Sequence, residues 1–328
     1  MPTPLDILTQ ARSYMTSRVI LTAAELDVFT QLADQPVGAE DLAARLGLEE
    51  RPLTRLLDCL ITLNLIDKAD GRYRVTKDGA CLGSRHPASI LPMVQHLNAI
   101  SDNWSHLTAC VRSGVNPHPR PVIGAASEHN TRSFIGAMHV VARQTAAVIA
   151  EACDLRSFSQ LLDIGGGSGA YTIALLQHNP QLRAVLFDFP SVVPIAASHV
   201  SEAGLHDRVA FVSGNFYDDD LPHGCDVALL SAIIHQNSPQ QNIELYAKIH
   251  RALEPRGVLL IRDHIMDASR TKPPDGALFA LNMLVNTPAG DTYTFAEVEH
   301  TLQQAGFAHV RLLRSGDRMD CLVEARKR

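Results

Sequence analysis

The stretch that decides the fold is QLLDIGGGSGAYTIALL, residues 160–176, in which an apolar strand runs into a glycine-rich turn that opens a helix. The glycines at 165, 166, 167 and 169 leave little side chain there, so a ligand can approach the backbone N–H groups closely. A dinucleotide site favours the spacing G-x-G-x-x-G, whereas here the third alternating glycine comes one residue early, at Gly169. This spacing favours a nucleoside that lacks a pyrophosphate.

From residue 160 onward, short apolar runs alternate with helical stretches, which indicates βα repeats and a mostly parallel sheet. We predict an α/β fold, a Rossmann-like doubly wound sheet with its ligand at the carboxyl ends of the strands. The predicted strands cover residues 161–164, 183–188, 208–212, 225–231, 257–262 and 319–325.

The first 100 residues have a different pattern, that of a winged helix. Three helices are predicted, followed by a small hairpin whose tip is Asp70-Gly71. A winged helix suggests DNA binding, but residues 1–100 carry ten Lys and Arg against twelve Asp and Glu, whereas DNA affinity depends on neutralising phosphates. A packing or dimerisation role is therefore favoured. The predicted helices cover 8–33, 39–46 and 51–63.

Two further segments, 88–113 and 130–153, are mostly helical and are separated by the Pro- and Gly-bearing SGVNPHPRPVIG, residues 113–124. We expect them to form a bridge or a lid. The predicted domains are a winged-helix domain, a helical linker or substrate lid, and a sheet domain, at residues 1–100, 101–154 and 155–328.

Composition disfavours several classes of function. The 328 residues are 46% hydrophobic with a formal charge of −6, which gives no overall attraction to nucleic acid or to an anionic membrane. The six cysteines have no metal-ligand or CxxC spacing, and His and Asp near the predicted site are too scattered for a ligand set. No secretory signal is recognisable, and no stretch reaches the about 18 to 20 apolar residues of a membrane span. We expect a cytoplasmic protein without a metal, nucleic-acid or membrane partner.

Side chains at the strand ends indicate which nucleoside the turn receives. Asp163 lies two residues before the glycines, where a carboxylate can accept hydrogen bonds from a cationic amino group but would repel a diphosphate. Asp188 ends the next strand, where a carboxylate binds both hydroxyls of a ribose, unless it is a helix cap or a turn aspartate. Asn215 and Phe216 follow the third strand and either contact an adenine or lie in a surface loop. An amino-acid-bearing nucleoside is the predicted ligand.

His235 is the candidate for the chemistry. It follows a buried strand and precedes a helix that is capped by Ser238 and has Pro239 at its first position. An imidazole at the carboxyl end of a strand, facing the ligand crevice, can take a proton at neutral pH. The next strand ends at Asp263, which either supports His235 or pairs with Arg262 or the backbone.

In succession, these motifs resemble those of the S-adenosylmethionine-dependent O-methyltransferases of the plant caffeate and bacterial polyketide-tailoring type. The resemblance spans nearly the whole chain, and the winged helix resembles that family's dimerisation domain. It implies S-adenosylmethionine as cofactor, a homodimer, and transfer of the sulfonium methyl to a phenolic or enolic hydroxyl of a small molecule. The motifs that carry it are LLDIGGGSG, LFDFP, GNFY, IIHQNS, IHRALEPRGVLLIRD and TYTFAEVEHTLQQAGF.

The resemblance implies roles for individual residues, with His235 as general base and Asp263 beside it. Met138 lies in SFIGAMHVVARQ, which is similar to the family helix that carries a substrate-facing methionine. The candidate cofactor-binding residues are Asp163, Gly165, Gly167, Asp188, Asn215, Phe216 and Ser231. The candidate substrate-binding residues are Trp104, Phe134, Met138, Asn282, Met283 and Thr292.

Several positions depart from the family pattern. Gln236 and Asn237 stand where the histidine is commonly followed by Asp and Trp, and Asn215 stands where an Asp is common. The second acidic residue that flanks the base in plant members aligns with Thr292, next to Asp291, so either Asp263 or a residue near Thr292 is left to support the base.

Other functions remain as alternatives. The family includes members that methylate carbon and relatives that no longer transfer methyl. An oxidoreductase with a nicotinamide dinucleotide is disfavoured by the glycine spacing and by Asp163. A DNA-binding regulator that senses a small molecule is disfavoured by the acidic winged helix.

Overall fold

A computed structural model of the chain describes residues 2–119 and 128–328. The chain divides into two compact units, Met1–Ser101 and Asp102–Arg328. The predicted linker, residues 101–154, falls almost entirely within the second unit. The stretch 113–124 lies partly outside the described residues.

The first unit combines helices with a small antiparallel sheet of strand order β1-β3-β2. Strands β2 and β3 form a hairpin whose tip residues Asp70 and Gly71 both have positive φ, 50° and 74°, as a tight two-residue hairpin turn requires. This is the winged-helix order that the sequence predicts. The elements are α1 (Pro4–Glu25), α2 (Val28–Gln31), β1 (Val37–Gly38), α3 (Ala39–Leu46), α4 (Glu50–Thr62), β2 (Ile66–Ala69) and β3 (Arg72–Val75).

The first unit has an apolar core of its own. On α4, Leu53, Leu57 and Leu60 are spaced three or four residues apart and are all buried. They belong to the same cluster as Phe29 and Tyr73. Helix α4 therefore uses its apolar face for packing.

The second unit is built on a seven-stranded sheet of order β11-β12-β8-β7-β4-β5-β6. Its strands are parallel except β12, which runs antiparallel to both β8 and β11. The α/β class with a mostly parallel sheet is thus confirmed. The strands are β4 (Gln160–Ile164), β5 (Arg183–Asp188), β6 (Val209–Ser213), β7 (Cys225–Ser231), β8 (Leu253–Asp263), β11 (Phe307–Arg314) and β12 (Cys321–Lys327).

Strand β11 is the one strand of this sheet that the sequence pattern did not predict. It lies at the sheet edge, and its pairing with β12 has two register shifts. Most of its side chains beyond Ala308 are exposed or half-buried. The alternation of apolar and polar residues that marks a half-buried strand is therefore broken.

Helices cover both faces of the sheet. Successive strand residues point to opposite faces, so Leu162 and Ile261 pack in one apolar cluster, while Leu161 and Leu260 pack in the other. The remaining helices of the chain are α5 (Leu91–Ser105), which begins in the first unit, α6 (Leu107–Ser113), α7 (Glu128–Ala152), α8 (Ala170–His178), α9 (Val193–Glu202), α10 (Pro239–Ala252), α11 (Pro274–Asn286) and α12 (Phe295–Gln304). Two short strands, β9 (Ile265–Met266) and β10 (Tyr293–Thr294), pair with each other.

The strand order reverses beside β4. Strands β5 and β6 follow on one side of β4, while β7 and β8 lie on the other. In an open α/β sheet, the carboxyl ends of the strands at such a reversal form the ligand crevice. The glycine turn after β4 and the segment after β7 meet at this crevice.

Within the described ranges, one segment, Thr131–Ala152 of α7, is long and apolar enough to cross a membrane, with a mean hydropathy of 1.2. One third of its most apolar window is buried. The Oγ1 atom of Thr145 lies 2.7 Å from the hydroxyl of Tyr171 on α8, and Ile149 belongs to the core of the sheet domain. Arg143 interrupts its apolar run, which is why the sequence pattern did not reveal it. A helix that packs on a sheet passes the same test of length and composition.

Candidate active site

A cavity of about 600 Å³ lies at the carboxyl ends of β4, β5, β7 and β8. Its size is that of a small-molecule site. One wall is formed by α7 and is apolar, with Ile135, Val141 and Ala142 beside the predicted residues. The predicted residues that line the cavity are Phe134, Met138, Asp163, Gly165, Gly167, Asp188, Phe216 and Ser231.

The glycine turn forms one edge of this cavity. Gly165 and Gly167 have φ of +68° and +55°, in the left-handed region that favours glycine. A Cβ on Gly165 would lie 3.0 Å from Cδ1 of Ile233, whereas the space around Gly167 is open. A ligand can therefore approach the backbone closely at Gly167.

Asp188 is buried and fixes the turn from the end of β5. Its carboxylate accepts hydrogen bonds from the N–H groups of Gly167, at 2.8 Å, and Phe189, at 2.7 Å. Burial raises the pKa of Asp188, and the two backbone hydrogen bonds oppose this rise. An ionised carboxylate has about four acceptor positions, so acceptor capacity remains toward the cavity.

Asp163 lies at the end of β4 and is 1% exposed. Burial raises its pKa to about 6, against a lowering effect of the hydrogen bond from the Thr172 hydroxyl. The nearby charge of Asp188 adds to the rise. A buried carboxylate of this kind favours a cationic partner, which would stabilise its ionised form.

His235 lies in a one-turn 3₁₀ helix, Ile234–Gln236, directly after β7. Its Nδ1 atom is 2.9 Å from both carboxylate oxygens of Asp263, which is fully buried at the end of β8. Burial opposes ionisation of Asp263, but the charge and hydrogen bond of His235 and the N–H of His264 together lower its pKa. Because an ionised carboxylate only accepts hydrogen bonds, Nδ1 carries a proton, and Nε2 is the ring nitrogen that can accept one when the imidazole is neutral.

Other groups fix the position of His235. Its ring contacts the ring of Phe279 edge-on, with 4.9 Å between the centroids. Its carbonyl oxygen accepts a hydrogen bond from the N–H of Asp291 at 2.9 Å. Gly290 lies so close that a Cβ there would be 2.4 Å from this oxygen. His235 is therefore held at both its side chain and its backbone.

Asn237, which departs from the family pattern, is a buried hydrogen-bonding centre. Its side-chain oxygen accepts from the Tyr217 hydroxyl, its backbone carbonyl accepts from the Tyr293 hydroxyl, and its amide donates to Asn242 at 2.9 Å. Asn242 in turn donates to the carbonyl of Ile234 at 3.0 Å. These contacts stabilise the segment that carries His235.

Thr292 is buried, with 2% of its surface exposed, and its hydroxyl donates to the carbonyl of Gly276 at 3.3 Å. The carboxylate of the adjacent Asp291 accepts from the N–H of Thr292 and pairs with Arg270. Among the described residues, Asp263 is the acidic group paired with His235. The role of Thr292 in substrate binding stays a prediction.

The remaining predicted residues are not among those that line the cavity in the described ranges. Asn215 forms a local turn, in which its amide donates to Asp218 at 2.6 Å and its side-chain oxygen accepts from the N–H of Tyr217. Its predicted contact with adenine remains untested. Trp104 donates to the side-chain oxygen of Asn282 at 2.9 Å, which joins α5 to α11, and Met283 is buried on the same helix.

Among the lining residues that sequence reasoning missed are Arg262, Tyr171 and Ala232. Arg262 was considered as a partner of Asp263, yet it hydrogen-bonds Ser231. Successive residues of a strand point to opposite faces of the sheet, and this alternation is the sequence signal that places Arg262 and Asp263 on different faces. Ala232 has φ of 57°, and nothing in the local sequence indicates this conformation.

Two family models match the chain: an O-methyltransferase dimerisation domain over residues 8–84 and an O-methyltransferase domain over residues 104–308. The tetracenomycin polyketide synthesis 8-O-methyl transferase of Streptomyces glaucescens is 32% identical, over 94% of this chain and 92% of its own length. The 3-hydroxy-5-methyl-1-naphthoate 3-O-methyltransferase of Streptomyces sahachiroi is 33% identical, over 94% and 91%.

Solved structures have the same fold. The crystal structure of human N-acetylserotonin methyltransferase in complex with S-adenosylmethionine superimposes with a TM-score of 0.84 at 27% identity. The match covers 100% of this chain and 98% of the human one.

Proposed function

The chain belongs to the S-adenosylmethionine-dependent O-methyltransferases, and from this premise we propose that it methylates a phenolic or enolic hydroxyl of a small aromatic or polyketide-like metabolite, with His235 as general base. The observation that carries the proposal is the pair of His235 and buried Asp263, 2.9 Å apart, beside a cavity lined by the glycine turn. The two Streptomyces relatives are named for oxygen methylation in tetracenomycin polyketide synthesis and of a hydroxynaphthoate. Both names support an aromatic acceptor from secondary metabolism.

The residues of the cavity fit the methyl donor. Asp188 has acceptor positions left for the ribose hydroxyls, and Asp163 is a buried carboxylate that an ammonium group would stabilise. Gly167 allows close approach of a ligand to the backbone, and Phe216 offers a ring to the adenine. When bound, S-adenosylmethionine supplies a methyl group on a positively charged sulfur.

His235 moves the proton. Its Nε2 atom accepts the proton of the acceptor hydroxyl, while Asp263 holds Nδ1–H and stabilises the imidazolium that forms. A phenol, with a pKa of about 10, suits an imidazole base better than an aliphatic alcohol does. The apolar wall of α7, which includes Phe134 and Met138, favours a flat aromatic acceptor and excludes water.

Most of the rate enhancement is expected from placement of the two reactants. Holding them in a near-attack geometry contributes about 7 to 11 kcal/mol, whereas general-base catalysis contributes about 10²- to 10⁴-fold, or roughly 3 to 5 kcal/mol. Loss of the base should therefore reduce the rate but leave catalysis above the uncatalysed level.

The reaction is tested by label transfer from methyl-labelled S-adenosylmethionine to a panel of phenols, catechols, quinols and enols. We expect label on oxygen in at least one aromatic acceptor, as located by NMR of the product. Label on carbon would contradict the proposed acceptor atom. Binding of S-adenosylhomocysteine without label in any acceptor would contradict the proposed acceptor class and favour a member that has lost methyl transfer.

We also propose that the chain forms a homodimer through its first unit. The dimerisation-domain match covers this unit, and α1 exposes apolar side chains that a second chain could bury. These are Leu5, Ile7, Leu8, Tyr14 and Met15, which are 72%, 57%, 59%, 64% and 49% exposed.

A double variant tests the dimer. Leu8 and Met15 lie seven residues apart, hence on one face of α1, and we expect Leu8→Glu/Met15→Glu to be monomeric at micromolar concentration. Light scattering of the wild type should give twice the mass of the chain. Val111→Glu, which replaces a 68% exposed residue of the second unit, is the matched control and should stay dimeric. A monomeric wild type, or a dimeric double variant, would contradict the assignment.

A cytoplasmic location is supported by the cysteines. All six are unpaired, which fits a reducing compartment.

A further inference from the structure

Arg262 is a buried arginine with unpaired nitrogens in the cavity wall. It lies at the end of β8 and is 3% exposed. Its Nη1 atom donates to the Ser231 hydroxyl at 3.2 Å, whereas Nε and Nη2 are buried and have no hydrogen-bond partner in the described parts of the chain. A buried cation is costly unless it is paired and hydrogen-bonded. This arginine is therefore explained best by a ligand that supplies the missing acceptors.

The guanidinium is held in place before any ligand binds. Its Cζ atom lies 4.9 Å from the ring centroid of Tyr171, in a cation–π contact. The Tyr171 hydroxyl is 2.7 Å from Oγ1 of Thr145 on α7, which fixes the ring. Together with the hydrogen bond to Ser231, this contact orients the planar fork of Arg262, so little conformational entropy is lost when it binds a partner.

The carboxylates close to Arg262 in sequence or on the neighbouring strand have other partners. Asp263, the next residue, points to the opposite face of β8 and pairs with His235. Asp320 accepts from Arg314 at 2.8 Å, and Glu324 pairs with arginines on β11 and β12. Since Nε and Nη2 have no acceptor among the described residues and Arg262 lines the cavity, a ligand in the cavity is the expected source of one.

The cavity holds opposite charges. Arg262 and Asp163 both line it, and both are at least nine-tenths buried. An α-amino acid group carries one ammonium and one carboxylate, so it matches this pair of side chains. A guanidinium fork binds a carboxylate with two parallel hydrogen bonds, which the free Nε and Nη2 atoms can donate.

We propose that Arg262 binds the carboxylate of the methionine part of S-adenosylmethionine, and that Ser231 and Tyr171 hold its guanidinium in position. The proposal rests on the methyl donor assigned above. The same chemistry would also suit a carboxylate on the acceptor, and the experiment separates the two sources.

Calorimetry with two ligands tests the proposal. S-adenosylhomocysteine carries the carboxylate, and its decarboxylated analogue lacks it but keeps the amine. We expect Arg262→Met to weaken binding of S-adenosylhomocysteine by about 10- to 100-fold, the scale of a charge-assisted hydrogen bond, and to leave binding of the analogue nearly unchanged. Methionine keeps much of the length of the side chain and adds no unpaired polar atom.

Arg208→Met is the matched control. The guanidinium of Arg208 hydrogen-bonds the backbone carbonyls of Leu176, Asn179 and Leu182, outside the cavity. We expect this variant to lower the melting temperature without changing the preference of the protein for the carboxylate-bearing ligand.

Three results would overturn the role of Arg262 and leave the proposed function intact. Equal losses of affinity for both ligands in Arg262→Met would show a purely structural residue. Unchanged affinity for both would show that Arg262 makes no contact with the donor. A raised KM only for carboxylate-bearing acceptors, with unchanged affinity for S-adenosylhomocysteine, would assign Arg262 to the acceptor. Failure of the wild type to bind S-adenosylhomocysteine would overturn this proposal and the proposed function together.

Discussion

Replacement of His235 by alanine is expected to lower kcat by about 10²- to 10⁴-fold and to leave the affinity for S-adenosylhomocysteine nearly unchanged. The loss corresponds to about 3 to 5 kcal/mol of transition-state stabilisation by a general base. Affinity should persist because the cavity is lined by Asp163, Asp188 and the glycine turn, whereas His235 is not among its lining residues in the described chain. Label transfer gives kcat, and calorimetry gives Kd.

His250→Ala is the matched control for this variant. His250 lies on α10, the helix after the base, and its ring contacts Phe307 edge-on at 5.0 Å between centroids. We expect its turnover to match that of the wild type. Equal turnover in His235→Ala would remove the base role and indicate a carbon acceptor or an oxygen that is already ionised. A parallel loss of S-adenosylhomocysteine binding would show that His235 holds the cofactor.

The position of the candidate cofactor residues at one edge of the sheet was predictable because it depends on chain direction. Each residue that follows a parallel strand lies at the same edge of the sheet, whatever the packing elsewhere. Asp163, Asp188 and Ser231 lie at the last or last but one position of three different strands, and all three line one cavity. Periodicity and glycine spacing were sufficient to locate that edge.

The partners of individual side chains could not be predicted in this way. Arg262 and Asp263 are neighbours in sequence, and strand alternation says only that they point to opposite faces. Which face holds His235 depends on the 3₁₀ turn after β7 and on the hydrogen bonds of Asn237, both of which are tertiary features. The left-handed backbone of Ala232 is likewise imposed by its surroundings, because alanine does not favour it.

Asp188→Ala should have the largest effect on cofactor binding. Asp188 is 7% exposed, lines the cavity and fixes the N–H groups of Gly167 and Phe189. Hydrogen bonds to a charged group are worth about 1.5 to 3 kcal/mol each, so loss of two ribose contacts would cost about 3 to 6 kcal/mol. We expect the Kd for S-adenosylhomocysteine to rise by about 10²- to 10⁴-fold. Calorimetry measures this change, and the rise in melting temperature on adding ligand should fall with it.

Asp226→Ala separates binding from folding in this experiment. Asp226 accepts hydrogen bonds from the N–H groups of Ser159 and Gln160, at 2.8 and 2.9 Å. Like Asp188, it therefore fixes two backbone N–H groups through its carboxylate, but at the amino end of β4 rather than at the carboxyl edge of the sheet. Both variants should lower the melting temperature of the free protein, because each leaves two backbone N–H groups without their acceptor. Only Asp188→Ala should lose affinity, since Asp226 lies at the opposite edge of the sheet. Equal losses of affinity would mean that the sheet as a whole had loosened, and unchanged affinity in Asp188→Ala would remove this carboxylate from the ribose site.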